Sequence, residues 1–145
     1  MKAVIQRVRS VRLSVGGQTV SEIPFGLAVY LGIKTGDSEQ ACEQMAGKIS
    51  RLRIFEDENG KMNLSVKDIG GEVLLISQFT LYGDCSHGNR PSFTLAEQPE
   101  RAEKLYELCG EKLSALGVPV KKGVFGADMK IEQFNDGPVT IIYEI

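Results

Sequence analysis

The chain has 145 residues, 42% hydrophobic and 25% charged, with a net charge of −2; that length is enough for one domain, 1–145, whose core needs no disulfide or metal staple. Three widely spaced cysteines and a single histidine, His87, exclude a disulfide framework and an ordinary zinc site, so no metal and no cofactor is expected. The acidic balance argues against an extended nucleic-acid surface, the charged first residues against a signal peptide and the short apolar runs against a membrane span, which together read as a cytoplasmic, reduced protein.

In chain order, Lys2–Arg9 is predicted as a strand, broken at Ser10 and resumed over Val11–Val15. Gly16-Gly17 is a hairpin turn leading to a strand over Gln18–Ile23. Gly26–Ile33 is almost wholly apolar and reads as a central strand covered on both faces. A first helix is predicted from Asp37, with Asp37 and Gln40 as a capping box and Ala41, Met45, Ile49 and Leu52 as its buried stripe. Asp57–Gly60 and Gly70-Gly71 are turns, the second leading into a buried strand over Val73–Leu81. Gly83–Pro91 is a polar loop. A second helix begins near Pro99, buries Ala102, Leu105, Tyr106, Cys109, Leu113 and Leu116, and stops at Gly117. Cys109 on that stripe is core filler. Strands around Val118–Val124, Met129–Phe134 and Val139–Glu144 complete the pattern. The fold class is α+β: two main helices packed on a strongly curved, mostly antiparallel, barrel-like sheet system.

Two segments stand out for chemistry, Ser77-Gln78-Phe79-Thr80-Leu81 and Asn135-Asp136-Gly137-Pro138-Val139-Thr140. Ser77 and Thr80 are hydroxyls near the end of a buried strand, where a nucleophile needs an adjacent base. Nothing in the sequence forces His87 towards them, and the plain alternative is that they cap the strand end. Gly137-Pro138 is either a simple turn or a cis peptide, and a rigid Gly-Pro in a pocket makes a steric wall that sorts stereocentres. The basic clusters Arg7, Arg9 and Arg12, Arg51 and Arg53, and Lys121, Lys122 and Lys130 read first as solvated faces. One of them would suffice for one end of an RNA.

These two segments resemble the signature motifs of the D-aminoacyl-tRNA deacylases. The likeness runs along the chain through Ala3–Val8, Arg53-Ile54-Phe55, Gly60–Leu64, Arg90-Pro91-Ser92-Phe93, Ala102–Tyr106 and Phe125–Met129. The resemblance implies hydrolysis of the ester between a D-amino acid and the 3′-terminal adenosine of tRNA, with slow cleavage of glycyl-tRNA. It implies a homodimer in which a cis Gly137-Pro138 enters the partner's pocket and bars L-side chains, with Asn135 beside it and Arg7 holding the segment. Ser77, Gln78, Phe79 and Thr80 would line the catalytic pocket, with backbone N–H groups near Phe79 for the oxyanion. Phe125 and Met129 would wall the adenosine or amino-acid end. Thr80 acts either as nucleophile or beside a water assisted by the tRNA 2′-hydroxyl, and the missing base favours the second. The loop Asp84–Asn89 carries Cys85 and His87 where the family pattern has threonine and basic residues. The competing readings are a non-catalytic module that binds the aminoacyl end of tRNA, and an ordinary Ser/Thr esterase.

Overall fold

Alternating burial along the first strand explains how the sheet curls. The computed structural model describes residues 1–145, and β1 (Lys2–Val15) runs unbroken through Ser10, which corrects the expected break. Ser10 instead marks a slip in the alternation. Arg9 and Ser10 both face solvent, and the buried set passes from Ala3 and Ile5 to Val8, Val11 and Leu13. A bulge of this kind bends a strand and sharpens its twist. The first half of β1 pairs with β3 (Gly26–Gly32) and the second half with β2 (Gln18–Ile23), both antiparallel. Gly16 and Gly17 make the hairpin turn with φ of 58° and 81°, as expected for the primed turns that match strand twist.

The apolar runs become the central strands. Beyond β4 (Phe55–Glu56) and β5 (Met62–Leu64), a small hairpin that the sequence reading does not anticipate, β6 (Glu72–Ser77) pairs parallel with β3, and β7 (Val120–Lys122) pairs parallel with β6. The sheet order is β2-β1-β3-β6-β7. Val73, Leu74, Leu75 and Ile76 are all fully buried, because successive side chains enter two different cores. Leu75 and Val73 face the helices with Ala3, Ile5, Leu27 and Val29. Leu74 and Ile76 face the curled half of the sheet with Val11, Leu13 and Ile23. Gly26 permits the close approach of β6: a Cβ there would lie 1.9 Å from Glu72 O.

Helix α1 (Glu39–Arg51) is capped by Ser38, whose hydroxyl accepts from Ala41 N at 3.3 Å. Asp37 is not the cap. Its carboxylate is taken by the Met1 ammonium (2.8 Å) and Lys34 N (2.7 Å). The buried stripe is Cys42, Met45, Ala46 and Ile49, while Ala41 and Leu52 are only half-buried. Helix α2 (Pro99–Ala115) starts with proline in its first turn and buries Ala102, Leu105, Tyr106, Cys109 and Leu113. Leu116 is the C-cap and is exposed, and Gly117 follows with φ of 83°. The last segment is one strand, β8 (Met129–Glu144), rather than two. It pairs only with β1, so its outer edge is open. No helix is long and apolar enough to cross a membrane.

Candidate active site

Parallel strands β3 and β6 point their carboxyl ends the same way, and a cavity of about 570 Å³ opens there. Crevices at the carboxyl ends of parallel strands are the usual ligand sites of such sheets. Ser77, Gln78 and Phe79 form its floor, Phe125 and Met129 one wall, and Phe93 with the start of α2 the other. The expected strand over Val73–Leu81 stops at Ser77, and Phe79–Tyr82 is a 3-10 turn. The first N–H of that turn to find a carbonyl is Leu81 N, on Gln78 O at 3.3 Å. The N–H groups of Phe79 and Thr80 precede it and have no acceptor within the turn. Phe79 lines the cavity and Thr80 is the next residue, outside the lining, so two adjacent main-chain donors stand beside the exposed ring of Phe79.

Thr80 is exposed, and its hydroxyl accepts a hydrogen bond from the Gln78 amide. An amide is no base in either orientation, and no hydrogen bond joins Ser77 or Thr80 to His87, which lies on the exposed Asp84–Asn89 loop. Tyr106 bonds Leu75 O at 2.8 Å and packs against the Phe125 ring at 5.9 Å. Burial pushes the Cys109 thiol up to about 12 and the Cys42 thiol up to about 11, so both stay protonated. No group of three or more His, Cys, Asp or Glu side chains is placed to hold a metal ion.

The second segment lies elsewhere on the same chain. Arg7, Asn135, Gly137 and Pro138 do not line this cavity. Between Gln6↔Thr140 and Val8↔Asn135, two steps on β1 face five on β8, so Asp136–Val139 bulges from the open edge. The Gly137-Pro138 peptide is cis, and both residues are exposed. Arg7, only 6% exposed, donates Nε to Asp136 O at 3.2 Å and Nη1 to Ile54 O at 2.9 Å, and Nε lies 3.1 Å from the Asp136 carboxylate. Arg9 donates to that carboxylate at 2.9 Å, which with the nearby Arg7 charge holds it below the usual carboxylate range despite desolvation. A Cβ at Gly137 would meet Val139 at 2.9 Å and Arg7 Nη2 at 3.2 Å. Gln133 bridges Asn135 to Gln6 and Tyr30 on the neighbouring strands.

The structure thus gathers five of the sequence-predicted residues at one cavity, with Thr80 next to its lining, and places Gly137 and Pro138 in the bulge, Asn135 at its start and Arg7 against it on β1. Phe93 and Glu97 belong to the cavity without having been singled out as site residues. An aromatic at the end of a polar loop, in the Arg90-Pro91-Ser92-Phe93 run, was the available signal. Of the basic clusters, Arg7 and Arg9 pair with Asp136, Arg12 with Glu22, Lys121 with Glu72, Lys122 with Glu107 and Lys130 with Asp128. These are intramolecular pairs rather than free charge, whereas Arg51 and Arg53 form no salt bridge.

Comparison with known proteins supplies the family. The family model for D-Tyr-tRNA(Tyr) deacylase matches residues 4–144. A D-aminoacyl-tRNA deacylase of Halalkalibacterium halodurans is 53% identical over 99% of both chains. One of Thermotoga petrophila is 54% identical over 99% of this chain and 97% of its own. Among solved structures, a c-Myc DNA Unwinding Element Binding Protein superposes with a TM-score of 0.94 at 46% identity, covering 100% of this chain and 99% of its own. A probable eukaryotic D-amino acid tRNA deacylase shares the fold, with a TM-score of 0.85 at 17% identity over 99% of this chain and 98% of its own.

Proposed function

We propose that this chain, which belongs to the D-Tyr-tRNA(Tyr) deacylase family, sorts its substrates by handedness with main-chain groups. It is a D-aminoacyl-tRNA deacylase, a hydrolase of the ester that joins the amino acid to tRNA. The finer reading starts from one observation: the N–H groups of Phe79 and Thr80 precede the first hydrogen bond of the turn beside the cavity that Phe79 lines, where the Thr80 hydroxyl has only an amide for a partner. Such donors hold the oxyanion of an attacked ester, and removing one in other enzymes costs about 10²–10³ in rate. An aminoacyl ester is already activated, so the attacking water needs only positioning and the help of the substrate's own 2′-hydroxyl. Ser77, Gln78, Phe79 and Thr80 form the catalytic floor, and Phe125 and Met129 hold the adenosine or amino-acid end.

Handedness is the work of the bulge. The exposed Gly137-Pro138 of one subunit, with Asn135 beside it and braced by Arg7, enters the cavity of a second copy and closes the side on which an L-side chain would stand. The open edge of β8, with exposed Phe134 and Ile142, supports that pairing as a homodimer. Glycine has no side chain to exclude, so glycyl-tRNA is cleaved slowly. The whole of residues 1–145 acts as one deacylase domain in the cytoplasm, where its tRNA substrate is. A duplex-DNA surface, as the name of one solved relative suggests, finds little support in a net charge of −2 with Arg7, Arg9 and Arg12 tied to carboxylates.

The test is deacylation of D-tyrosyl-tRNA against its L-isomer by purified protein, with sedimentation to give its mass in solution. Release from the D-ester alone, by a dimer, is the expected result. Equal consumption of both isomers removes the filter; consumption of neither leaves only the binding module.

A further inference from the structure

The catalytic turn is held by residues that have no chemistry of their own. Gly32 ends β3 directly beneath it. Its φ is an ordinary one for any residue, so what matters is space. A Cβ on Gly32 would lie 3.0 Å from Gln78 O, 3.1 Å from Leu81 Cβ and 3.3 Å from Tyr82 Cδ2. Two of these three atoms are fixed to the backbone of the turn and cannot swing away. Gln78 N is bonded to Leu31 O at 2.9 Å, which ties the entry to the turn to the residue before Gly32.

The exit is held in a matching way. Gly83 follows the turn, again without positive φ. Asp84 and Ser92 form an isolated antiparallel bridge, with N–H···O distances of 2.8 and 2.9 Å. That bridge sets Gly83 opposite Phe93. An aromatic ring lying over a cross-strand glycine is a known way to fill the space of a missing side chain. A Cβ on Gly83 would meet Phe93 Cε1 at 3.0 Å and Thr80 O at 3.1 Å. The Phe93 ring then meets Phe79 edge to face, with centroids 5.0 Å apart and planes at 69°, within the favoured range for aromatic pairs.

We propose that Gly32, Gly83 and Phe93 are positioning residues of the hydrolysis, a clamp that aims the Phe79 and Thr80 N–H groups at the ester carbonyl. This rests on the function proposed above, in which those N–H groups hold the oxyanion. Donors of this type act only within hydrogen-bond distance of the place the oxyanion will occupy. A misplacement of about 1 Å can cost about 10²-fold.

The experiment measures kcat and KM for D-tyrosyl-tRNA with Gly32→Ala, Phe93→Ala and Phe93→Tyr. Alongside, it measures the affinity of each for a non-hydrolysable amide-linked D-tyrosyl-adenosine and the melting temperature. The clamp requires kcat to fall by about 10–100-fold in Gly32→Ala and Phe93→Ala, with affinity for the amide near wild type in Gly32→Ala, whose residue does not line the cavity. Phe93→Tyr, which keeps the ring, must restore most of the rate. If Gly32→Ala does not fold, the Phe93 pair decides alone. Three outcomes overturn the proposal: kcat unchanged, kcat falling only with the folded fraction, or Phe93→Tyr as slow as Phe93→Ala. The wild type separates the two levels: if it spares the D-ester, function and clamp fall together; if it cleaves it, the variants judge the clamp alone.

Discussion

The Ser77–Thr80 turn and the Asn135–Thr140 bulge are both tight backbone features in which side-chain acids and bases play little part, but different forces hold them. The turn ends the fully buried run Val73–Ile76 and is enclosed by Gly32, Gly83 and the Phe93 ring. Its shape comes from packing, which neither salt nor mild acid disturbs. The bulge interrupts an edge strand and is held by Arg7 and Arg9 acting on Asp136. A donor that must point at a carbonyl is best fixed by close-packed atoms. The exposed Gly137-Pro138 tip has no core of its own to rest on, so charge-assisted bonds to Asp136 hold the bulge instead.

The largest test of this contrast is Arg7→Ala. Arg7 is nearly buried and serves Asp136 O, the Asp136 carboxylate and Ile54 O together, and breaking a buried pair from one side costs about 3–5 kcal/mol. Urea unfolding should show a loss of about 3 kcal/mol, the low end of that range, since Asp136 keeps some solvent. The folded remainder should also begin to cleave the L-ester. Arg7→Lys should not rescue, because an ammonium lacks the planar fork that spans the two carbonyls. Unchanged chiral selectivity in Arg7→Ala would detach the bulge from the filter.

Leu75→Ala probes the other region. Leu75 is fully buried beneath the helices, and such truncations cost about 2–5 kcal/mol. Here stability should fall while the ratio of D- to L-cleavage by the folded enzyme holds, because only Val139, at the end of the bulge, packs on this core and the exposed Gly137-Pro138 does not. A changed ratio at equal folded fraction would erase the distinction.

Thr80→Ala should cost less. Its hydroxyl has an amide and no base beside it, so the rate for D-tyrosyl-tRNA should stay within about tenfold of wild type, about 1.4 kcal/mol of barrier. A loss of several thousandfold would make Thr80 the nucleophile.

How far the sequence spoke differs between the same two regions. The apolar runs, the Gly16-Gly17 hairpin and the second helix with its stop at Gly117 were legible because local pattern and tertiary role agree there. Ser10 was misleading because a polar residue inside a strand looks like a break until its partner strands are known. Asp37 was misleading as a cap because its partners, Met1 and Lys34, come from outside the helix. The last strand looked like two because a Gly-Pro bulge has turn composition, and only pairing with β1 shows the chain continuing. At the site, the motifs located the floor and the bulge. They could not show that Phe93 faces Gly83, since that depends on the Asp84–Ser92 bridge, nor that β6 stops at Ser77 and leaves two N–H groups without an acceptor in the turn.

Acid should tell the two regions apart with the smallest effect. Asp136 is held below the usual carboxylate range, first by the hydrogen bond from Arg9 and then by the Arg7 and Arg9 charges. A group whose folded pKa is depressed contributes stability that is present above its unfolded value, about 3.9, and lost as pH falls through the folded one. Arg9 is largely exposed, so this share is worth about 1 kcal/mol at most. Between pH 5 and 8 nothing should change. Below about pH 4 wild type should lose stability faster than Asp136→Asn, which has no charge left to lose. The carboxylates of Asp57, Asp68 and Asp84, also held low by local hydrogen bonds, titrate in both proteins, so the difference between the two curves isolates the bulge. Coincident curves would mean that backbone contacts to Arg7 hold the segment and that its charge is incidental.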